Sequence, residues 1–470
     1  MDVNKIRQGD NNAAQLLVDS DSSLVQAHAV SDPIFSPIRK LPTELLAKIF
    51  IESIPSLVFG SRPSFDDGMY PQQVRARLGQ VCRMWNAILT DEPGVWATLV
   101  LDHRLPALEI VSLWIKRSKS HPLDVSLEVL SPHGYSKMDP EKIVVKMLHR
   151  ELWRIRSLFA ADFNDYYEIS SLFPPDLLTV SPMMQSLTLE SFKDFPEGRL
   201  GCIHCPQLRT LTLRVCSNVV ESLISKPMQN LRVLAIVNFH GDNMLYIKLL
   251  QALPNLVSLT WSWGVHDYDE NPRVALPSLK SLAFRICHWE MMARLLRQFD
   301  VPSLEHLEFK DCFYDVERSL NTVLDVICGD RGVQLRRLTL GSGTLTGVNL
   351  HAMWHHLNHL ETLFIGPYGL GWLTADELFI TLSPPNRDFS SVCPQLKTLE
   401  LDLLGKTSTG ALVDFVQRRV KSDLGDPAPG SVTCLKLWNV SVDKVSAQLA
   451  KTHSLFVHCL DAEAHHVLHH

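Results

Sequence analysis

Two groups of metal-ligating side chains stand out in this sequence of 470 residues. The first comprises four histidines within the last six residues, and the second is a single C-x-x-C pair: His465, His466, His469, His470, Cys202 and Cys205. Zinc prefers imidazole and thiolate ligands, but a zinc site needs further ligands at a defined spacing. Neither group has such partners in the sequence. We therefore interpret the histidines as a solvated tail and the cysteines as loop residues, and we expect no metal and no cofactor.

The motifs of the common enzyme classes are missing. The chain contains no P-loop, no G-x-G-x-x-G after a strand, no G-x-S-x-G and no H-E-x-x-H. We therefore expect a binding protein rather than an enzyme. A cluster of titratable side chains on one concave surface is the observation that would favour an enzyme.

Basic side chains in the middle of the chain are suited to binding an acidic or phosphorylated peptide. Arg285, Lys310 and Arg337 each follow or begin a short apolar segment, with His306 and Glu308 close to them. Guanidinium and ammonium groups form charge-assisted hydrogen bonds with carboxylates and phosphates. We hypothesise that these five residues bind a partner protein. The alternative is that they are solvated strand residues, with Glu308 neutralising the neighbouring cations.

These side chains can act together only if a repeated structure brings them to one surface. Ten segments share the pattern Leu-x-x-Leu-x-Leu, and their middle apolar residues run from Leu187 to Leu435. They are spaced by 24, 23, 25, 23, 25, 31, 25, 36 and 36 residues. Periods of about 20–29 residues are typical of a leucine-rich repeat solenoid, with insertions where the step is longer. We predict an α/β fold: one curved parallel sheet with helices and loops on its convex side.

Alternation along each strand predicts which side chains face outward. The leucines point into the core, whereas the residues between them lie on the opposite side of the sheet, which we call the concave face. On this face, the apolar row Val233, Ala235 and Val237 accompanies the basic residues, so a peptide with an acidic and an apolar end would fit. Cysteines at the third position after the last apolar residue of the strand pattern are expected to be buried where the strand turns: Cys216, Cys287 and Cys312.

Composition divides the chain into five regions. We predict a polar, disordered tail at 1–36, a small helical domain at 37–100, and a cap with degenerate repeats at 101–180. The repeats at 181–440 and a C-terminal cap with the histidine-rich tail at 441–470 complete the chain. A formal net charge of −6 gives no reason to expect binding to nucleic acid or to a membrane. Without a signal peptide or an apolar span, we expect the cytosol or the nucleus, where the ten cysteines remain free thiols.

The helical region at 37–100 contains more apolar residues than two short helices can cover. LPTELLAKIFIESI predicts one helix, VRARLGQVCRMWNAIL a second, and Trp96 follows an acidic-proline turn. We expect Leu45, Ile49 and Phe50 to leave apolar surface exposed, because a segment of this size buries little apolar area by itself.

The order of these elements, from about Ile38 to Leu99, resembles an F-box, although the segment between Phe50 and Val81 is longer than in compact members of the family. Together with the repeats it is similar to the F-box-like leucine-rich repeat proteins abundant in mushroom-forming fungi. The resemblance implies binding to the Skp-type adaptor of a cullin–RING ubiquitin ligase, with the repeats recruiting the substrate protein. It implies these adaptor contacts: Leu41, Pro42, Leu45, Leu46, Ile49, Phe50, Val81, Cys82, Trp85 and Trp96. The alternative is a repeat scaffold whose F-box-like segment is vestigial.

Overall fold

The computed structural model describes residues 37–55, 70–101, 108–129, 140–162, 179–191, 203–214, 228–237, 243–262, 273–310, 320–329, 332–341, 349–366, 375–383, 392–402, 409–419, 432–438 and 457–460. The predicted tail at 1–36, the four terminal histidines, Cys202, Cys216 and Cys312 lie outside these residues. The chain forms two compact units, Met1–Ile49 and Phe50–His470.

The first unit contains a 3-10 helix, Pro37–Lys40, and the first two turns of helix α1, Thr43–Ser53. The carbonyl oxygen of Pro42 accepts hydrogen bonds from the N–H groups of both Leu45 and Leu46, so the helix starts directly after the proline. Proline suits this place because its missing N–H group would have no partner inside a helix. Glu44 in the first turn interacts favourably with the helix dipole.

Within the described residues, the second unit is built on one parallel sheet of 14 strands, which follow one another in chain order. Four further strands form two separate pairs, β4 with β6 and β10 with β12. The strands are β1 Thr98–Leu101, β2 Leu123–Val129, β3 Ile155–Asp162, β4 Thr179–Val180, β5 Ser186–Ser191, β6 Ile203–His204, β7 Thr210–Arg214, β8 Val233–Val237, β9 Ser258–Ser262, β10 Val274–Ala275, β11 Ser281–Arg285, β12 Phe299–Asp300, β13 His306–Lys310, β14 Arg337–Leu340, β15 Thr362–Ile365, β16 Thr398–Asp402, β17 Cys434–Trp438 and β18 Val457–Leu460.

The repeat pattern sets the register of this sheet. The middle leucine of each repeat pairs with the middle leucine of the next, as Leu282 does with Leu307 and Leu307 with Leu338. All ten middle leucines are buried, because each strand turns the same face toward the core. The predictions of a parallel sheet and of buried middle leucines are therefore confirmed.

The sheet begins before the first regular repeat. β1, β2 and β3 pair in parallel with one another, and β3 pairs with the first repeat strand, β5. These first three strands lie at or just before the region at 101–180 that was predicted as a cap with degenerate repeats. The region predicted as a cap thus supplies strands to the sheet.

Helices connect most of the strands. They are α2 Pro71–Val81, α3 Arg83–Asp91, α4 Leu108–Arg117, α5 Pro140–Glu151, α6 Asn243–Gln251, α7 Trp289–Gln298, α8 Leu320–Leu324, α9 Leu350–His355, α10 Ala375–Leu382 and α11 Thr409–Arg419. From α7 to α11 each helix packs on the next one, as expected for units that stack along an array. None of the helices within the described ranges is long and apolar enough to cross a membrane.

Buried arginines bond to backbone carbonyls at the ends of helices. Arg154 donates to the carbonyl oxygens of Ile115 and His121 and to Ser118 Oγ, and it pairs with Glu151 at 2.6 Å. Helices leave their last carbonyls without intrahelical partners, and a guanidinium supplies several donors at once. In this way Arg154 joins the end of α4 to the turn before β3.

The predicted position of a buried repeat cysteine is confirmed for Cys287. Its side chain is buried, and its thiol contacts the carbonyl oxygens of Trp261 at 3.7 Å and Arg285 at 3.1 Å. Cys287 therefore ties the ends of β9 and β11 together. The cysteines that the structure describes are free thiols.

Candidate functional site

Helix α1 exposes three large apolar side chains, Leu45, Ile49 and Ile51, and the first two share one side of the helix. Leu45 is 48% exposed and Ile49 is 43% exposed, and they lie one helical turn apart on the same side of the helix. Leu46, next in sequence to Leu45, is buried. Exposed aliphatic side chains repeated at this spacing are typical of a helix face that binds a partner.

The expectation that Phe50 would be exposed is wrong. Phe50 is 0% exposed, and its ring packs on Trp85 with 4.8 Å between the ring centroids. Trp96 is also buried, and its indole N–H donates to the carbonyl oxygen of Leu89. Leu46, Phe50 and Trp96 therefore belong to the interior of the chain and cannot present surface to an adaptor in this structure.

The segment predicted as one second helix is two helices. Cys82 has extended backbone angles, φ −165° and ψ 166°, which end α2 at Val81 and let α3 begin at Arg83. Because of this break, Val81 belongs to α2, whereas Met84, Ile88 and Leu89 belong to α3. Ile88 and Leu89 point inward, whereas Val81 is 58% exposed and Met84 is also exposed. Val81 is thus an accessible member of the predicted adaptor contacts, while Cys82 and Trp85 are half-buried.

A buried arginine that the sequence analysis missed joins α2 to the sheet. Arg75 donates from Nε to the Val95 carbonyl oxygen at 2.7 Å and from Nη2 to the Thr98 carbonyl oxygen, at the start of β1. Its guanidinium also lies over the rings of Trp96 and Trp114. Burial lowers the pKa of Arg75 to about 9, so the side chain is still cationic at neutral pH. It holds α2 in a defined place relative to β1.

The five predicted substrate-binding residues lie on three neighbouring strands but at different heights. Arg285 is directly opposite Lys310, at the carboxyl ends of β11 and β13. Arg337 is instead opposite His306, at the amino end of β14. Glu308 lies between the two levels on β13. The structure therefore brings together Arg285 with Lys310 and, separately, His306 with Arg337.

His306 forms a bridge across three strands. Its Nδ1 lies 3.1 Å from Ser281 Oγ on β11, and its Nε2 lies 3.2 Å from Thr339 Oγ1 on β14. Burial and the positive charge of Arg337 lower the pKa of His306, and Glu308 opposes them less strongly. The imidazole is therefore neutral at pH 7. Both ring nitrogens contact hydroxyl groups, so His306 links β11, β13 and β14 through hydrogen bonds on the concave face.

Ion pairs on the concave face join some of the neighbouring strands. Arg214 on β7 pairs with Glu190 on β5 at 3.2 Å, and Lys436 on β17 pairs with Glu400 on β16 at 2.9 Å. Within the predicted apolar row on β8, Val233 is exposed, and Ala235 and Val237 are half-buried. Among the described residues the Nε of Arg285 has no hydrogen-bond partner, and Arg285 shares this face with the apolar row.

The structure offers no support for metal binding within the part of the chain that it describes. In those residues, no three His, Cys, Asp or Glu side chains come together as a metal site would require. Burial raises the pKa of the Cys205 thiol to about 12. The other half of the C-x-x-C pair, Cys202, lies outside the described residues.

Comparison with known proteins yields similarity to solved structures alone. No protein family matches the sequence, and no curated protein does. Among 27 matching solved chains is one from the crystal structure of a TLR13–ssRNA13 complex. It is 15% identical to this chain, with a TM-score of 0.33. The match covers 67% of this chain and 38% of that chain, so this chain corresponds to well under half of that protein.

Proposed function

We propose that this chain is a non-catalytic receptor that brings a partner protein to a ubiquitin ligase. In this proposal the concave face of the solenoid binds the partner, and the N-terminal helices bind a Skp-type adaptor of a cullin–RING ligase. The mechanism is proximity, because binding both partners raises the effective concentration of the substrate's lysines near the ligase. The chain itself supplies no catalytic group.

The observation that carries this proposal is the unequal exposure of the apolar residues in α1. A helix that served only the core would bury its leucines and isoleucines, yet Leu45 and Ile49 face solvent while Leu46 is buried. In the second unit, Val81 and Met84 are exposed as well, at the break between α2 and α3. Both pairs lie in the segment whose residue order resembles an F-box.

The alternative candidate is a repeat scaffold that does not belong to a ligase. The burial of Leu46, Phe50 and Trp96 supports it, because three of the ten predicted adaptor contacts serve the interior of the chain instead. The two candidates differ in one property that can be measured directly, which is retention of the adaptor.

A double variant of α1 tests the proposal. We expect Leu45→Ser with Ile49→Ser to weaken adaptor retention by about tenfold or more, since truncating apolar residues at the centre of an interface costs more than 1 kcal/mol each. The free energy of unfolding should change by only about 0.5 kcal/mol, because the replaced side chains are exposed. Co-purification with a Skp-type adaptor, followed by quantitative binding and urea unfolding, measures both quantities.

Ile380→Ser is the matched control, because Ile380 is 53% exposed on α10, within the repeats. It should leave adaptor binding unchanged. Failure of the native chain to retain any adaptor would favour the scaffold. Undiminished retention by the double variant would show that α1 is not the docking helix.

A further inference from the structure

Two residues that are directly opposite each other at the carboxyl ends of β9 and β11 each carry a polar atom without a hydrogen-bond partner among the described residues. Ser262 is 0% exposed, and its Oγ has no partner among the described residues. Arg285 is the residue directly opposite it, and the Nε of Arg285 is also shielded from water without a partner there. Buried polar atoms are normally hydrogen-bonded, and leaving them unpaired costs free energy. A pair of them on adjacent strands therefore needs an explanation.

The surrounding backbone holds these two residues in a fixed arrangement. The Cys287 thiol contacts the carbonyl oxygens of Trp261 and Arg285, which join the strand ends that carry Ser262 and Arg285. The N–H group of Ile286 donates to the Lys310 carbonyl oxygen at 2.9 Å, which joins β11 to β13. Neighbouring parallel strands lie about 4.8 Å apart, so Ser262, Arg285 and Lys310 form one short row.

Charge distinguishes this row from the corresponding residues on β5 and β7. Ser186 and Thr188 on β5 also have buried hydroxyl groups without partners, but the nearby Arg214 is neutralised by Glu190. Arg285, by contrast, forms no ion pair with any residue that the structure describes. A hydroxyl donor beside an unneutralised guanidinium is suited to an oxyanion, because the planar fork of arginine matches the geometry of carboxylates and phosphates.

We propose that Ser262 and Arg285, with Lys310 beside them, form a site for a phosphoryl or carboxylate group carried by a partner polypeptide. The site rests on the proposed function, because it lies on the concave face that is taken to bind the partner. An oxygen of the ligand accepts from Ser262 Oγ and from the Nε–H of Arg285, which satisfies both atoms. Arg285 is half-buried, so part of this residue remains accessible to a ligand.

Arg337 and Glu308 have different parts in this arrangement. Arg337 lies at the opposite end of its strand, beside His306, and does not belong to the oxyanion site. Glu308 lies on the same face, two residues before Lys310, and its carboxylate repels an anionic ligand. Removing the charge of Glu308 should therefore tighten anion binding.

Peptide libraries test the site in the full chain. Three degenerate nine-residue libraries carry phosphoserine, glutamate or serine at the central position, and binding is measured by fluorescence anisotropy. We expect an anionic library to bind about tenfold more tightly than the serine library. Preference for phosphoserine alone identifies a phosphoryl group as the ligand, and equal preference for glutamate identifies a carboxylate.

Variants then assign the effect to the proposed atoms. Arg285→Lys keeps the positive charge but removes the planar guanidinium with its paired N–H donors. It should weaken the binding of anionic peptides by about tenfold. Ser262→Ala should weaken the binding of anionic peptides by about fivefold, and Glu308→Gln should strengthen it by about twofold. Arg336→Lys is the matched control, because Arg336 is exposed next to the face and pairs with Glu361; it should change nothing.

Two results would overturn the site. One is the absence of any preference for the anionic libraries. The other is native affinity in both Arg285→Lys and Ser262→Ala. Either result leaves the receptor proposal to be judged by the adaptor experiment with Leu45 and Ile49, which does not involve these residues. If the native chain does not bind the adaptor but still prefers anionic peptides, the ligase proposal is rejected and the oxyanion site is retained.

Discussion

At the scale of single residues, His306 shows how the concave face combines stability with sensitivity to pH. The ring is held between Ser281 and Thr339, and its pKa is lowered by burial and by Arg337. The folded chain therefore binds a proton at His306 less readily than the unfolded chain, whose histidine has its ordinary pKa. The contribution of His306 to the free energy of unfolding is complete above the pKa of the unfolded histidine. It is lost as the pH falls from that value to the lower pKa of His306 in the folded chain.

Replacing His306 by glutamine tests this dependence. Glutamine keeps hydrogen-bonding atoms but does not titrate, so we expect the variant to lose less stability than the native chain between about pH 6.5 and pH 5. Urea unfolding at a series of pH values measures the difference. If both chains follow the same curve over this range, the lowered pKa of His306 has no consequence for folding.

At the scale of elements, buried arginines link neighbouring units of the array. Arg419 at the end of α11 donates to the carbonyl oxygen of Leu382, at the end of α10, and to those of Val392 and Cys393 in the following turn. Burial lowers the pKa of Arg419, while the Cys393 thiol beside it opposes the shift. One side chain therefore satisfies three backbone acceptors that the fold removes from water.

Arg419→Met should destabilise the chain by about 2–4 kcal/mol, because the three carbonyls lose their donor while the side-chain volume is largely kept. Arg418→Met is the control in the neighbouring position. Arg418 is exposed, and its replacement should change the free energy of unfolding by no more than about 0.5 kcal/mol. Equal effects of the two variants in urea unfolding would mean that the carbonyl contacts contribute nothing to stability.

At the scale of the whole molecule, the strands that the structure describes in the main sheet lie in chain order, each paired with the sheet strand before it and the one after it. The stability of such an array is approximately a sum of unit terms and nearest-neighbour terms. Damage to one unit should therefore spread first to the adjoining units. Binding sites at different positions along the sheet can accordingly differ in local stability.

Leu307→Ala tests this locality, because Leu307 is fully buried in the middle of the array and pairs with both neighbouring middle leucines. We expect a loss of about 2–5 kcal/mol, from the lost apolar contact and the cavity left behind. Hydrogen exchange should show the largest loss of protection in β11, β13 and β14, with β2 and β3 less affected. Uniform loss over all strands would mean that the unit unfolds as one cooperative body.

The repeat spacing predicts the parallel sheet, the register of its strands and which residues lie on each of its two faces. The repeat spacing of the leucines is a local property, and alternation along a strand assigns every residue to the core or to the concave face without knowledge of distant contacts. Arg285 and Lys310 were found in this way. Ser262 occupies the same place in its repeat as Arg285 does in the next, so the repeat alignment contained the signal that could have identified it.

Tertiary packing determines which of the predicted contact residues are exposed and which are buried. The burial of Phe50 depends on Trp85, 35 positions later, and the role of Arg75 depends on carbonyls of Val95 and Thr98. The break at Cys82 divides the predicted second helix in two, and Val81, the last residue of α2, is exposed. Long-range packing sets these outcomes, because apolar residues of one helix can face either the core or a partner, and spacing alone is the same in both cases.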